Sequence, residues 1–375
     1  MRKFKKIFKV IIVILFSSTL ISCWDYKDLE EKNIVVSLGV DRVRENIQYV
    51  GEISKLRNIG AAGNPIYISK SEGRDFKEAR INFNNSKPYK TFLGASKAIV
   101  FGQNYAEEGI IPYVNRINKI YDYRKTILTV VSRDPIDELF DIKTKSDLSV
   151  GIEIEHMIRT LDKQGQSLYK SVGDILTDVA TGDIGYLLPY VGVEEGKVRY
   201  LGMAVMKDSK FQGVINWNDS DGVLYLLADK PRIIEDVALS PKHSNIISFR
   251  NIVKKRKIKV DYDNDKLKIN VYVKLSSHLQ YQYNLNIIDK QKLKECDKIL
   301  ERQIKGVIER AIKTSQKYKC DYLNFYKYFK GQHPEKIGKI DWKNQYPYAD
   351  VNVEISTDIV NKNLKDTESK LKVKD

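Results

Sequence analysis

The stretch Leu267-Lys268-Ile269-Asn270-Val271-Tyr272-Val273-Lys274-Leu275 decides how the second half of the chain is read. Its odd positions are apolar and its even ones mostly polar, the period-two signature of a strand with one face in a core and the other in water. The alternation resumes at Leu279, Tyr281, Tyr283, Leu285 and Ile287. A break at Ser276-Ser277 is expected, because a single strand of that length is unusual. Upstream, Ile252, Val253, Ile258 and Val260 weave Lys254-Lys255-Arg256-Lys257 and Lys259 into a second strand. Asn264-Asp265 supplies a hairpin turn between the two.

Downstream, Leu293, Cys296, Leu300, Ile304, Val307 and Ala311 recur at helical spacing and predict one long helix over Asp289–Lys319. Gly306, in its middle, costs about 1 kcal/mol against Ala, so a close packing contact is expected there. Val351, Val353 and Ile355 predict a last strand. This half reads as α+β, an antiparallel sheet packed with one long helix.

The first half reads differently. Ile34–Val40 and Ile47–Ile53 predict strands, residues 54–73 read as irregular, and Arg74–Asn84 as a helix. Ala98–Phe101 and Ile127–Val131 are short continuous apolar runs, as central strands buried on both faces are. Between them Pro112 suits the first position of a helix. Strand, helix, strand in that order predicts an α/β unit with a parallel pair. Asp134 is the expected N-cap of a short helix after Pro135. Helical patterns over Leu148–Leu161 and Val172–Val179 suggest a small middle module, followed by the apolar Gly185–Val193 and a boundary at Glu194-Glu195-Gly196. Val198–Met206 and Phe211–Trp217 predict a hairpin. The expected divisions are a leader at 1–22, an N-terminal α/β domain at 23–145, the middle module at 146–196, a C-terminal α+β domain at 197–361 and a charged tail at 362–375.

A chain of 375 residues suggests two or three domains. With 42% hydrophobic residues it can bury full cores, which excludes wholesale disorder. The 30% charged residues, with a single prominent apolar run, exclude a polytopic membrane protein. That run lies in the leader. Arg2, Lys3, Lys5, Lys6 and Lys9 precede the apolar Val10–Phe16, which is short of the roughly 20 residues a spanning helix needs. Leu20-Ile21-Ser22-Cys23 then has an aliphatic residue three before a cysteine and a small one just before it, as a bacterial lipobox does. Ser22 and Cys23 would flank the signal-peptidase cut, and the Cys23 thiolate is the nucleophile that takes a diacylglyceryl group. Two acyl chains anchor stably where one binds marginally. The alternatives are an ordinary signal peptide or an anchor helix with a chance cysteine.

Loss of the leader's five cations lowers the formal charge from +15 to +10. That excess fits an anionic surface or a plain compositional bias in lysine. Cys296 and Cys320 stand roughly 36 Å apart if one helix joins them, far beyond disulfide reach.

Local motifs give no chemistry. Asp261–Asp265 lacks the glycine and bidentate glutamate of a calcium loop. Asn218–Gly222 reads as an N-cap. Ser167-Leu168-Tyr169-Lys170 matches Ser-x-x-Lys without its companion motifs. Glu153, Glu155 and His156 do not share one helix face. The basic run reads as a solvated strand edge, with anionic lipid the next reading; nucleic acid is not expected outside the cell. No catalytic, metal or cofactor residues are expected.

With those residues in place the chain resembles the C-subunit lipoproteins of bacterial spore germinant receptors, the Ger(x)C family. The resemblance rests on Cys23-Trp24-Asp25-Tyr26, Gly39-Val40-Asp41, Glu78-Ala79-Arg80, Ala98-Ile99-Val100-Phe101-Gly102, Arg133-Asp134-Pro135, Gly202-Met203-Ala204-Val205 and Trp342 with Tyr346-Pro347 and Val351-Asn352-Val353, in order along the chain. Gly94-Ala95, Leu323-Asn324-Phe325-Tyr326 and Asp358 depart from the family pattern. The resemblance implies a multi-domain α+β lipoprotein ectodomain without catalytic residues. It would be anchored on the outer face of the cytoplasmic membrane (in the spore, the inner membrane) beside polytopic A- and B-type subunits, in a receptor for small nutrients. Rival readings are a solute-binding lipoprotein of a transporter, which needs two similar lobes, and a tethered hydrolase, which needs a nucleophile–base pair.

Overall fold

The computed structural model describes residues 32–55, 66–119, 123–142, 149–238, 246–264, 266–282 and 290–361. The leader, Ser22, Cys23, the strand continuation at Tyr283–Ile287 and the tail at 362–375 lie outside the described residues.

A nine-stranded sheet occupies the first half, in the order β3-β2-β1-β5-β6-β7-β8-β9, with β4 (Thr91–Phe92) beside β1. Its centre is parallel: β1 (Asn33–Val43), β5 (Ala98–Gly102), β6 (Leu128–Ser132) and β7 (Tyr186–Glu194). Both wings are antiparallel, made by β2 (Asn46–Lys55) and β3 (Ile66–Gly73) on one side, β8 (Lys197–Lys207) and β9 (Lys210–Asn216) on the other. Every residue of β5 and β6 is buried, because helices cover both faces. On one face lie α1 (Phe76–Asn85), α2 (Gln103–Glu108), α3 (Ile111–Lys119) and α6 (Val172–Thr181). On the other lie α4 (Ile136–Phe140) and α5 (Val150–Gln164).

The second sheet runs β10-β11-β12-β13, with β14 (Ile359–Asn361) beside β12. β11 (Ile246–Asp263) and β12 (Lys266–Gln282) form a long hairpin, and Asn264 takes the left-handed conformation its turn requires, at φ 47°. α8 (Lys290–Lys317) lays Cys296, Leu300, Ile304 and Ile308 on the sheet. α7 (Asp221–Leu227), α9 (Phe325–Gln332) and α10 (Trp342–Gln345) complete the cover. Leu187, Met203, Val205 and Ile215 of the first sheet join this second core. Leu188, Ala204 and Met206, one step away on the same strands, face the first. The β7–β9 wing is therefore shared by both halves.

Several expectations are corrected. The irregular stretch includes an edge strand, β3. β12 does not break at Ser276-Ser277; a bulge in β11 at Val253/Lys255 and one in β12 at Gln280, opposite Ser248/Phe249, absorb the twist instead. The second sheet is antiparallel from β10 (Arg232–Ala238) to β12, but β13 (Asp350–Ser356) and β14 join in parallel. The cause is α8, which returns the chain between β12 and β13 as a crossover. Apart from these corrections, Glu195-Gly196 is the turn of the β7–β8 hairpin, so strand pairing joins the two halves at that point.

Gly306 packs against nothing closely; a Cβ there would meet only Arg310 Nη1 at 3.5 Å. The tight contact is on the neighbouring helix, where a Cβ on Gly222 of α7 would lie 2.1 Å from the Val307 carbonyl oxygen.

Candidate functional site

The motif residues quoted above converge on buried nodes. Gly39 leaves room for Ile136, whose Cγ2 would be 2.0 Å from an added Cβ. Asp41, two residues on, is buried, and its Oδ2 accepts from the Ile136 amide at 3.3 Å. Gly102 makes room for that carboxylate, which would touch a Cβ at 2.1 Å. Burial pushes the Asp41 carboxyl above the usual range, against the lowering by its amide donors. Asp41 thus does the work expected of Asp134. Asp134 instead accepts from the Val193 amide at 2.6 Å and pairs with Arg133, joining β7 to the loop before α4.

A second node is Glu52, on β2. Its Oε1 accepts from the Val150 amide at 2.6 Å, its Oε2 from Gly151 at 2.9 Å and from the Ser37 hydroxyl. It thereby satisfies the first turn of α5, beside the Ser149 cap. Burial raises this carboxyl too.

Asp321 is the third. Wholly buried between α8 and α9, it accepts from the amides of Phe325 at 3.1 Å and Tyr326 at 2.8 Å, and from Trp342 Nε1 at 3.1 Å. Burial pushes it up to about 6. Trp342 stacks between Tyr326, Phe329 and Tyr346, and the Tyr346 hydroxyl lies 2.7 Å from Ser315 Oγ. Trp342 and Tyr346-Pro347 are therefore a structural cluster under the long helix.

The last node joins the halves. Asp178 of α6 is 2% exposed and is gripped by Lys170 and by Lys327 of α9. Lys330, one turn on, donates to the Thr181 carbonyl at 3.0 Å.

The remaining candidates resolve into scaffolding. Lys170 of the Ser-x-x-Lys sequence is the Asp178 partner, and Ser167 is buried. Glu155 pairs with Arg159; His156 is exposed. Ser220 precedes α7 without a side-chain cap bond, so the expected N-cap is a 3-10 turn over Trp217–Asp219. Arg256 leaves the solvated run altogether: it is half-buried and donates to the Tyr225 and Ala228 carbonyls at the end of α7. Both remaining cysteines are buried thiols, and burial pushes Cys296 to about 11 and Cys320 to about 12.

One pairing was not legible beforehand. Ser276 Oγ lies 3.1 Å from His278 Nε2, two residues apart on one strand face. Burial, then the charges of Arg250 and Lys254, hold that imidazole below its usual pKa. Cations surround it where a triad would place an orienting carboxylate. Among the described residues no three His, Cys, Asp or Glu side chains converge as metal ligands.

Among the described residues, cavities at two places reach the lower edge of ligand-pocket size. One of about 280 Å³ lies between β9, α7 and α8, lined by Asn216, Asp219, Asp221, Arg310 and Thr314. Neighbouring Glu235 is pushed up to about 7, by burial first and the charge of Asp221 next. The other, about 290 Å³, lies between the halves, with Tyr169, Lys170 and Asp174 facing Asp229 and Asn324. No described helix is long and apolar enough to cross a membrane.

Two family profiles divide the chain: the spore germination protein N-terminal domain over residues 25–193, and the spore germination B3/GerAC-like C-terminal domain over 201–363. Spore germination protein KC of Bacillus subtilis (strain 168) is 20% identical over 99% of both chains. Spore germination protein B3 of the same organism is 21% identical over 91% of this chain and 94% of its own. The crystal structure of the GerBC protein superposes with a TM-score of 0.54 at 18% identity, covering 86% of this chain and 97% of that one, which shows a shared fold. The chain belongs to the Ger(x)C family of spore germination proteins.

Proposed function

We propose that the chain is a non-catalytic lipoprotein subunit of a nutrient germinant receptor. It is tethered through a diacylglyceryl group on Cys23 to the outer face of the spore's inner membrane and assembles there with polytopic A- and B-type subunits. The observation that carries this reading is the end-to-end alignment with a germination protein behind a cationic, apolar leader ending in Leu20-Ile21-Ser22-Cys23. Only eight residues lie between Cys23 and Lys32, where the described body begins, so the body stays within about 30 Å of its anchor. A tether of that length makes encounter with membrane partners effectively intramolecular. The buried nodes suit this role, since their carboxylates tie strands to helices inside the body. The solute-binding reading asks for two similar lobes, whereas a nine-stranded mixed sheet and a five-stranded one share a core here.

Cys23→Ala tests the proposal. The variant is expected to take up no fatty-acid label, to leave the membrane fraction and to weaken nutrient-triggered germination. Unchanged membrane retention and an unchanged germination response would count against it.

A further inference from the structure

The outer face of the second sheet, opposite α8, carries a basic patch at one end. Across the strands Ile234 of β10 stands beside Arg250 of β11, which stands beside His278 of β12; Arg232 stands beside Ile252, which stands beside Ser276. The bulge at Val253/Lys255 adds Lys254, and Lys255 lies directly opposite Lys274. Lys257 is two residues further along the same face, opposite Tyr272. Arg232, Lys254, Lys255, Lys257 and Lys274 are all exposed, and none has an ion-pair partner among the described residues.

Two features are costly in an isolated sheet. Like charges directly opposite each other repel across about 5 Å, yet Lys255 and Lys274 are so placed. The Arg250 Nε is shielded from water and has no hydrogen-bond acceptor among the described residues. The acids on this face do not relieve them: Asp261 is taken by Lys259 at 3.1 Å, Asp236 by the Ser248 hydroxyl at 2.5 Å, Glu354 lies on β13 beside Tyr272 and accepts from Asn352, and Asp263 and Asp350 stand at the hairpin-turn end of the strands, opposite Lys266 and Lys268. Large aliphatic side chains border the cations. Ile234 is 55% exposed, and Val360, on β14, is 53% exposed.

We infer that this end of the sheet docks on the surface of an anionic phospholipid bilayer. Long cationic side chains around exposed aliphatic ones match the boundary between phosphate headgroups and acyl chains. The phosphates would supply counter-charge for the lysine pair and for the exposed Arg232, Lys254 and Lys257 beside it. The inference rests on the reading that the chain works at a membrane, and it adds an orientation to the tether: the second sheet lies against the bilayer and α8 points away from it.

All three core clusters lie within residues 32–361, so the chain begun at Trp24 keeps the whole folded body and carries no lipid. Its flotation with phosphatidylcholine vesicles, with and without phosphatidylglycerol, tests the face independently of the anchor. Binding is expected only with phosphatidylglycerol, and high salt should abolish it. Lys255→Gln, Lys257→Gln and Lys274→Gln together should weaken it by about 5-fold per cation, roughly 100-fold in all. The same change in net charge on the opposite layer, as Lys294→Gln, Lys298→Gln and Lys313→Gln on α8, should have far less effect. Lys274→Glu alone should raise the melting temperature, by relieving Lys255, while lowering vesicle binding. Equal weakening by both trios, or binding indifferent to phosphatidylglycerol, would overturn the inference. So would a trio that keeps vesicle binding but releases a co-purifying acidic protein, which would assign the face to that protein.

Discussion

Lys327 Nζ, on α9 of the second half, sits 2.5 Å from Asp178 Oδ1 on α6 of the first. Lys170 holds the other oxygen, so a carboxylate 2% exposed is shared between a lysine of its own half and one that arrives 149 residues later. Breaking a buried pair costs more than its net contribution, because the remaining charge stays desolvated. Lys327 is itself 37% exposed and Lys170 remains, so the cost is discounted. Lys327→Met is expected to lower stability to urea by about 1–2 kcal/mol. Lys343→Met, which breaks the exposed pair with Asp208, should change it by less than about 0.5 kcal/mol. Equal effects would deny Asp178 its role as a joint.

Gly306 of α8 and Gly222 of α7 should respond to alanine in opposite directions. Gly306→Ala meets only a flexible arginine end and gains helix propensity, so it should stabilise by about 1 kcal/mol. Gly222→Ala would drive a methyl group into the Val307 carbonyl and should cost about 1–3 kcal/mol. Thermal melts of the two variants, read against the parent, check the sign of each.

Glu52→Ala removes the acceptor for two amides and a hydroxyl at once. Three donors left unsatisfied inside the body should cost about 3 kcal/mol or more. Loss of hydrogen-exchange protection at Val150 and Gly151 should exceed that in the second half. Uniform loss across the chain would mean that Glu52 does not act through α5.

Asp321 sets a pH dependence. Its carboxyl is raised from 3.8 to about 6 on folding. Below about 4 both states hold the proton and its stability contribution is fully present. As pH climbs to about 6 the unfolded chain has ionised while the buried group has not, so stability is lost across that window, by roughly 2–3 kcal/mol. Urea unfolding from pH 4 to pH 7 should show this fall, and Asp321→Asn should flatten it. An unaltered slope in the variant would contradict the assignment.

What was legible in the sequence was what local pattern alone controls. β5 and β6 read as buried strands because continuous β-branched runs have few other uses, and the β11–β12 hairpin announced itself by alternation. β3 was not legible: Ile66-Tyr67-Ile68 is followed by Ser, Lys, Ser, Glu and Gly, and an edge strand with one wet face can be built from such residues. The nodes were hidden for a different reason. Glu52 occupies an ordinary polar position of β2, and only the arrival of α5 nearly a hundred residues later makes it a cap. Arg256 vanished into a basic run because sequence does not say that the bulge at Val253/Lys255 turns it toward α7. Asp41 was flagged by its motif, but the cap of α4 was read as Asp134, and only the fold brings Asp41 to the Ile136 amide.

Cys23 is the residue on which the proposed tether depends. Intact-mass spectrometry of the protein extracted from spore membranes should find a chain that begins at Cys23 and carries a diacylglyceryl group on its sulfur. A chain that retains residues 1–22, or a processed one that bears no lipid, would contradict it.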